Sequence, residues 1–316
     1  MRCSPALLIA LLACGPSTIE EASTFQQLDA LVREGALAGR DTLELRDKGW
    51  GPELARMVEA APDTGALRTL DLRGNLLGVA GAVSLAEADS LRGLHTLRLG
   101  PGRIFPDGQR LGDAGVRALA ASPRLDGLEV LDVARNGVGP KGAAALSRGP
   151  VAEGLKALYI ESNPLGDAGA TALVGGTLGP LEILHAGWCE IGPEGATALA
   201  NAPGLRGLHE LLLSSNPIGN TGGVALAGAD LPDLEKLYLS HTSLDDSAAA
   251  AFAAAGGLGA LTHLNLDGNG LTDDGAKALA ASPGLQRIEW LSLRDNLIGE
   301  DGRAALKERF GDRVEL

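Results

Sequence analysis

The stretch "LEILHAGWCEIG", residues 181 to 192, sets His185, Trp188, Cys189 and Glu190 within six positions of one another. A thiol near an imidazole and a carboxylate is the raw material of a nucleophilic site, because a base can activate the thiol and a third group can orient the base. The same side chains are also familiar metal ligands. Whether they do either depends on the elements that carry them. The rest of the chain reveals those elements, because the stretch is one copy of a pattern written ten times.

The segment "LRTLDLRGNLLGVAGAVSLA" (67–86) returns as "LEVLDVARNGVGPKGAAALS" (128–147), "LKALYIESNPLGDAGATALV" (155–174), "LHELLLSSNPIGNTGGVALA" (208–227) and "LTHLNLDGNGLTDDGAKALA" (261–280). Copies begin at Arg40, Leu67, Leu94, Leu128, Leu155, Leu181, Leu208, Leu234, Leu261 and Ile288, spaced by 26 or 27 residues with one interval of 34. Each position has a physical reason. Leu70 and Leu72, two apart, share the inward face of a short strand. Asn75 stands where the chain turns, and its amide can satisfy backbone groups left open there. Leu77 closes the small core. The twelfth position is Gly, Asp or Thr (Gly112, Asp245, Thr272), which reads as a helix N-cap, and Pro52, Pro140 and Pro193 follow where a first helical turn tolerates proline. A small-residue helix completes the copy. One copy cannot bury its own apolar face, whereas a stack of ten can.

The pattern L-x-x-L-x-L-x-x-N-x-L-G resembles that of leucine-rich repeats, and is most similar to the ribonuclease-inhibitor-like subclass, over about residues 40–316. The resemblance implies an α/β solenoid, a horseshoe whose parallel sheet lines the concave face. "STFQQLDALVREG" reads as a cap helix within residues 23–39, with Ser23 or Thr24 as N-cap. "ALKERFGDRVEL" reads as a last helix followed by a strand fragment holding Val314 and Leu316.

This frame reinterprets the opening cluster. Cys189 falls at the Asn position of the ladder, equivalent to Asn75, Asn136, Asn163, Asn216, Asn269 and Asn296, so it reads as an enclosed turn residue without reactivity. Cys189→Asn is expected to fold and to restore the ladder. Glu190 lies on the solvated turn. His185 sits at the centre of its strand and faces the concave side, with Trp188 at the strand's exit. Strands in a sheet lie about 4.8 Å apart, and His185, His241 and His263 belong to different repeats and different positions, so no three meet around one ion. Asp245-Asp246 and Asp273-Asp274 fall at helix N-termini, where the helix dipole favours negative charge. The chain carries no phosphate-cradling glycine loop with Lys, no His-Glu-x-x-His and no G-x-S-x-G. The reading is a non-enzyme with no cofactor and no metal.

The composition agrees. With 45 glycines and only 3% aromatic residues in 316, the chain suits many small Leu/Ala cores rather than one large core. A formal charge of −13 leaves nothing basic to track phosphates, which excludes nucleic acid. At the start, "MRCSPALLIALLACGPS" places Arg2 before an unbroken apolar run from Ala6 to Ala13, too short to span a bilayer but suited to a signal peptide. Leu11-Leu12-Ala13-Cys14 resembles the lipobox of bacterial lipoproteins. That resemblance implies a signal peptide over 1–13, an acylated Cys14 opening a tether over 14–22, and, with Gly15 rather than Asp after the cysteine, an outer-membrane address.

Two features exceed what the repeat needs. The excess of the third copy, "GPGRIFPDGQR" (100–110), must loop out at the rim. Aromatic placement is the other. Both tyrosines, Tyr159 and Tyr238, occupy the strand-centre position, and His185, Trp188, His241, His263 and Trp290 map there or to its edge. Trp50 instead replaces a core leucine. Copies one to four carry Glu44, Arg46, Asp47, Asp71, Arg73, Arg98, Asp132 and Arg135, expected to pair across strands. The seven-residue aromatic face spans five strand gaps, roughly 24 Å, which suits a protein partner burying about 800 Å² per side. The expected function is a monomeric interaction scaffold, attached to the membrane through its lipid alone. Competing readings are an enzyme regulator, since the repeats also resemble those of the Ran GTPase-activating protein, and a purely architectural spacer.

Overall fold

The computed structural model describes residues 18–19, 21–61, 64–100 and 110–316. Residues 1–13, Cys14 and all but the ends of the 100–110 insertion lie outside the described residues. Each repeat pairs a three-residue strand with a helix of seven to eleven residues. The strands are β1 (Thr42–Glu44), β2 (Thr69–Asp71), β3 (Thr96–Arg98), β4 (Val130–Asp132), β5 (Ala157–Tyr159), β6 (Ile183–His185), β7 (Glu210–Leu212), β8 (Lys236–Tyr238), β9 (His263–Asn265) and β10 (Trp290–Ser292). The C-terminal fragment Val314–Glu315 forms β11 and pairs with β10, Leu291 opposite Val314. All eleven lie parallel in chain order, making one open sheet. The central leucines, from Leu43 through Leu70 and Leu97 to Leu291, stand in register and are fully buried. Helices stack behind them at close range. At Gly222, for example, a Cβ would lie 2.7 Å from that of Ala196 on the preceding helix.

The N-terminal cap helix spans Phe25–Arg33, with Thr24 and Gln27 forming a reciprocal capping box. The polar tether expected over 14–22 is shorter than that. Ile19 and Ala22 are fully buried, and Lys48 donates to the Ala22 carbonyl at 3.0 Å, so the chain is already docked on the first repeat. Two apolar residues in a polar stretch were enough to fasten it.

The asparagine ladder is the main turn device. Asn216 Nδ2 donates to the carbonyls of Leu213 and of Ala186 in the preceding repeat, both at 2.8 Å. Its Oδ1 accepts from the N–H groups of Cys189 and Ile191 at 2.8 and 3.0 Å. Asn163 and Asn269 do the same for the repeats before them. To present both N–H groups to one oxygen, the residue between them turns left-handed: Gly137, Glu190 and Ser243 have φ of 70°, 58° and 61°. Cys189 and Thr242 keep the donor half of this role, Cys189 to the Ile160 carbonyl at 3.3 Å and Thr242 to that of Leu239 at 2.7 Å. Neither offers an amide oxygen. The repeats before them turn differently, in a form that Gly112 also adopts before Asn136. Leu165 and Ile218 N–H fold back onto the Asn163 and Asn216 carbonyls, each at 2.8 Å, while Gly166 and Gly219 go left-handed at φ 57° and 58°. Pro164 and Pro217 sit in these turns, where proline's fixed φ forbids the first geometry.

The expectation that the twelfth position is the N-cap therefore holds for Gly139, Gly192, Asp245, Thr272 and Gly299. It fails for Gly51, where Pro52 is the cap, and for Gly78, Gly112, Gly166 and Gly219, each of which lies one residue beyond a cap at Leu77, Leu111, Leu165 or Ile218 with φ of 57° or 58°. The acidic residues at helix starts have a more specific use than the dipole alone. Asp167 accepts from the N–H groups of both Gly192 and Gly195 of the next repeat at 2.7 Å, and Asp113 and Asp273 serve Gly139/Gly142 and Gly299/Gly302 likewise. Asp246 accepts from Thr272 N–H at 2.7 Å.

Cys189→Asn alone is consequently expected to gain nothing, because Pro164 holds the preceding turn away from the new oxygen. Combined with Pro164→Gly, the two changes should couple favourably by about 1 kcal/mol. Urea denaturation of the two single variants and the double variant measures this, and strictly additive effects would contradict the matched-turn account.

Candidate functional site

The concave face is built from the outward residues of each strand and its exit turn. Cys189 is not on it. Its side chain is fully buried, donates to the Ile160 and Gly187 carbonyls, and burial pushes the thiol up to about 12 despite the nearby Asn163 and Ser162 N–H groups. A thiol held protonated and pointed at backbone is no nucleophile.

His185 does face the concave side, between two carboxylates that the sequence did not single out. Its Nδ1 lies 3.3 Å from Glu161 and its Nε2 2.8 Å from Glu210, which also meets Lys236 at 3.1 Å. The result is a polar chain across β5 to β8. Burial alone would lower the His185 pKa, but the hydrogen bonds and charges of Glu161 and Glu210 outweigh it and hold the imidazole above its ordinary 6.5. For Glu210, burial acts upward and is outweighed by the His185 and Lys236 contacts, so its carboxyl stays below the usual range. The clue lay in register: Glu210 begins β7 opposite Ile183, which sets it diagonal to His185 at the end of β6.

The seven aromatic positions do not make one continuous patch. Tyr159 meets His185 edge-on, with ring centroids 4.9 Å apart, and Trp188 stands beside them on the rim of the same hollow. Tyr238, His263 and Trp290 form a second group, with centroids 6.4 Å (Tyr238–Trp290) and 6.2 Å (His263–Trp290) apart. Glu210 and the half-buried Leu212 of β7 separate the two. His241 belongs to neither group; its ring lies over Gly268 of the next repeat, where a Cβ would collide with it. Trp50 packs on the cap helix, edge-on to Phe25 at 6.1 Å.

Trp188 is the most informative of these residues. It is 61% exposed and has φ 52°. The exit position turns left-handed in repeat after repeat, as at Asp47, Gly74, Arg135, Ser162, Ser215, His241, Gly268 and Asp295. Glycine or a small polar residue suits that backbone, and a tryptophan there costs stability without packing gain. Toward the N-terminus, the expected pairing across strands converges on one fully buried carboxylate. Asp71 receives Arg46 and Arg73 at 2.8 Å and Arg98 at 3.8 Å.

Leucine-rich repeat family models match residues 67–86, 128–147, 155–174, 180–200 and 206–272. The chain is a leucine-rich repeat protein. A search of curated proteins returns no match for this sequence. Among solved structures, an internalin from Listeria monocytogenes is similar at 16% identity and a TM-score of 0.49, covering 90% of this chain and 88% of its own. In this leucine-rich repeat protein the matched segments include β5 to β7, so the hollow beside Trp188 is formed by regular repeats.

Two outcomes are expected. Trp188→Gly should stabilise the fold by about 1 kcal/mol, by relieving the left-handed turn; a lower unfolding midpoint would show that the indole supports the fold. A histidine that binds its proton more tightly when folded contributes stability below its unfolded pKa and loses that contribution as pH rises through the higher folded value. Stability should therefore decline as pH rises above 6.5 by a component that His185→Gln removes. Denaturation across that range checks it, and an unchanged pH dependence in the variant would contradict the bridge.

Proposed function

We propose that this protein is a non-catalytic interaction scaffold, built on repeats of the ribonuclease-inhibitor-like kind, that binds a protein partner on its concave face. The observation that carries the proposal is Trp188, a large aromatic side chain kept exposed on a backbone that disfavours it. Structural need does not account for such a residue, and aromatic side chains give large contact area at low entropy cost in binding hot spots. Tyr159 and His185 extend the same contact, and Tyr238, His263 and Trp290 offer a second one beyond β7. Two anchors on one sheet favour an extended protein surface over a small ligand.

The scaffold is proposed to be held at a bacterial envelope, at the outer membrane, by lipid on Cys14. Support comes from the charged, apolar and lipobox-like succession of residues 2 to 14. Two or more acyl chains suffice for stable anchoring. Among the described residues no helix is long and apolar enough to cross a membrane.

With Tyr159, Trp188 and Tyr238 all changed to Ala, the solenoid should still melt cooperatively while capture of its partner from envelope extract fails. Retention of every partner by that variant would move the binding site elsewhere, to the insertion at 100–110 first. Cys14→Ser should shift the protein from the membrane fraction to precursor or soluble forms; native protein beginning at unmodified Met1 would refute the anchor.

A further inference from the structure

At β4 to β6 the concave face sinks into a hollow of about 480 Å³. Small residues open it: Ala134 and Ser162 line it, and Gly187 occupies the neighbouring position on the sixth repeat. Trp188 and Tyr159 supply aromatic surface, and Asp132 and Glu161 supply carboxylates. Asp132 is only 8% exposed. It accepts the Ala134 N–H at 3.1 Å and has no ion pair among the described residues. Burial and the neighbouring Glu161 raise its pKa, and that N–H and the charge of Arg73, which makes no ion pair with it, offset the effect only in part. Desolvating a carboxylate without a paired counter-charge is costly, so the ionised form favours an incoming cation.

The cations already present do not answer the need at Asp132: His185 lines the hollow but is held between Glu161 and Glu210. Arg73 reaches the hollow but is engaged by Asp71, with Nε at 3.0 and 3.1 Å and Nη2 at 2.8 Å from the carboxylate oxygens. Arg135 lines the hollow as well, and its like charge restricts the site to a single incoming cation. Aromatic faces beside carboxylates are the features that attract ammonium and guanidinium groups. The chain's charge of −13 draws basic partners in the same direction.

We propose that this hollow receives a single Lys or Arg side chain of the partner protein, its charge set against Asp132 and Glu161 and its stem against Trp188 and Tyr159. The proposal deepens the concave-face reading and rests on it. The partner's anchor is thus a basic residue on a protruding segment, narrow enough to reach the floor of the sheet.

The test uses short capped peptides, acetyl-Gly-Ser-Xaa-Ser-Gly-amide, with Xaa as Arg, Lys, citrulline or Glu. The three tryptophans give three indole N–H signals in a nitrogen–proton NMR spectrum, and Trp188→Phe assigns the relevant one. The Arg and Lys peptides should shift the Trp188 signal saturably and leave those of Trp50 and Trp290 in place. Citrulline keeps the shape of Arg without its charge and should bind at least tenfold more weakly, as should the Glu peptide. Asp132→Asn preserves the acceptor for Ala134 N–H and should also cost at least tenfold in affinity, with no loss in unfolding midpoint. Equal binding of the citrulline peptide, undiminished binding by Asp132→Asn, or no shift with any peptide up to about 10 mM would overturn the inference. If the triple alanine variant loses its partner while these peptides leave Trp188 unmoved, the concave face binds by other chemistry and this inference alone falls.

Discussion

Everything else in this molecule depends on how the backbone is satisfied at the strand exits. The repeats are too short to close their own turns, so each borrows hydrogen-bond partners from the next. Asn216 shows the full form, joining Ala186 and Leu213 through its nitrogen and Cys189 and Ile191 through its oxygen. Those bonds fix where each strand ends, and hence which residues face the concave side. The leucine cores supply most of the free energy, but leucines alone would not prevent a sliding register. Helix starts are tied in the same way, by carboxylates such as Asp167 that cap the following helix rather than their own. Order therefore passes from one repeat to the next at both ends of the strand-to-helix crossing.

The borrowed turns also shape the concave surface. A left-handed exit residue is an unavoidable product of the geometry, and most repeats fill it with glycine, serine or a charged residue. The sixth repeat fills it with Trp188, and the hollow beside Tyr159 then has an aromatic rim. On the N-terminal side, three arginines converge on buried Asp71, which leaves that part of the face electrostatically occupied. Toward β6, His185 is held between Glu161 and Glu210. The surface thus passes from self-paired charge to exposed aromatic within three strands.

The fold was legible in the sequence because its period is regular and its inward leucines alternate strictly. So was the burial of Cys189, since its place in the ladder was known from six asparagines. The site was less so. Sequence placed seven aromatic residues on one face, but the separation made by Glu210 and Leu212 of β7 depends on diagonal neighbours in the sheet. The direction of His241, over Gly268, depends on a single side-chain rotation. Asp132 was visible as one of several charges expected to pair; both it and Asp71 are buried, and what distinguishes it is that the arginines converge on Asp71 instead. The docking of Ile19 and Ala22 was hidden by the polar residues around them.

The two turn types alternate through the middle of the chain. The repeats beginning at Leu155 and Leu208 carry proline turns and precede Cys189 and Thr242; those beginning at Leu181 and Leu234 turn left-handed at Glu190 and Ser243 and precede asparagines. Each proline-turn repeat together with its successor occupies 53 residues. Deleting one repeat of such a pair would set a proline turn against an asparagine, or an open turn against a cysteine or threonine. Deleting both would leave every junction matched. In this stretch a change of length by two repeats therefore keeps every turn matched to its partner, which makes the doublet the natural unit of growth.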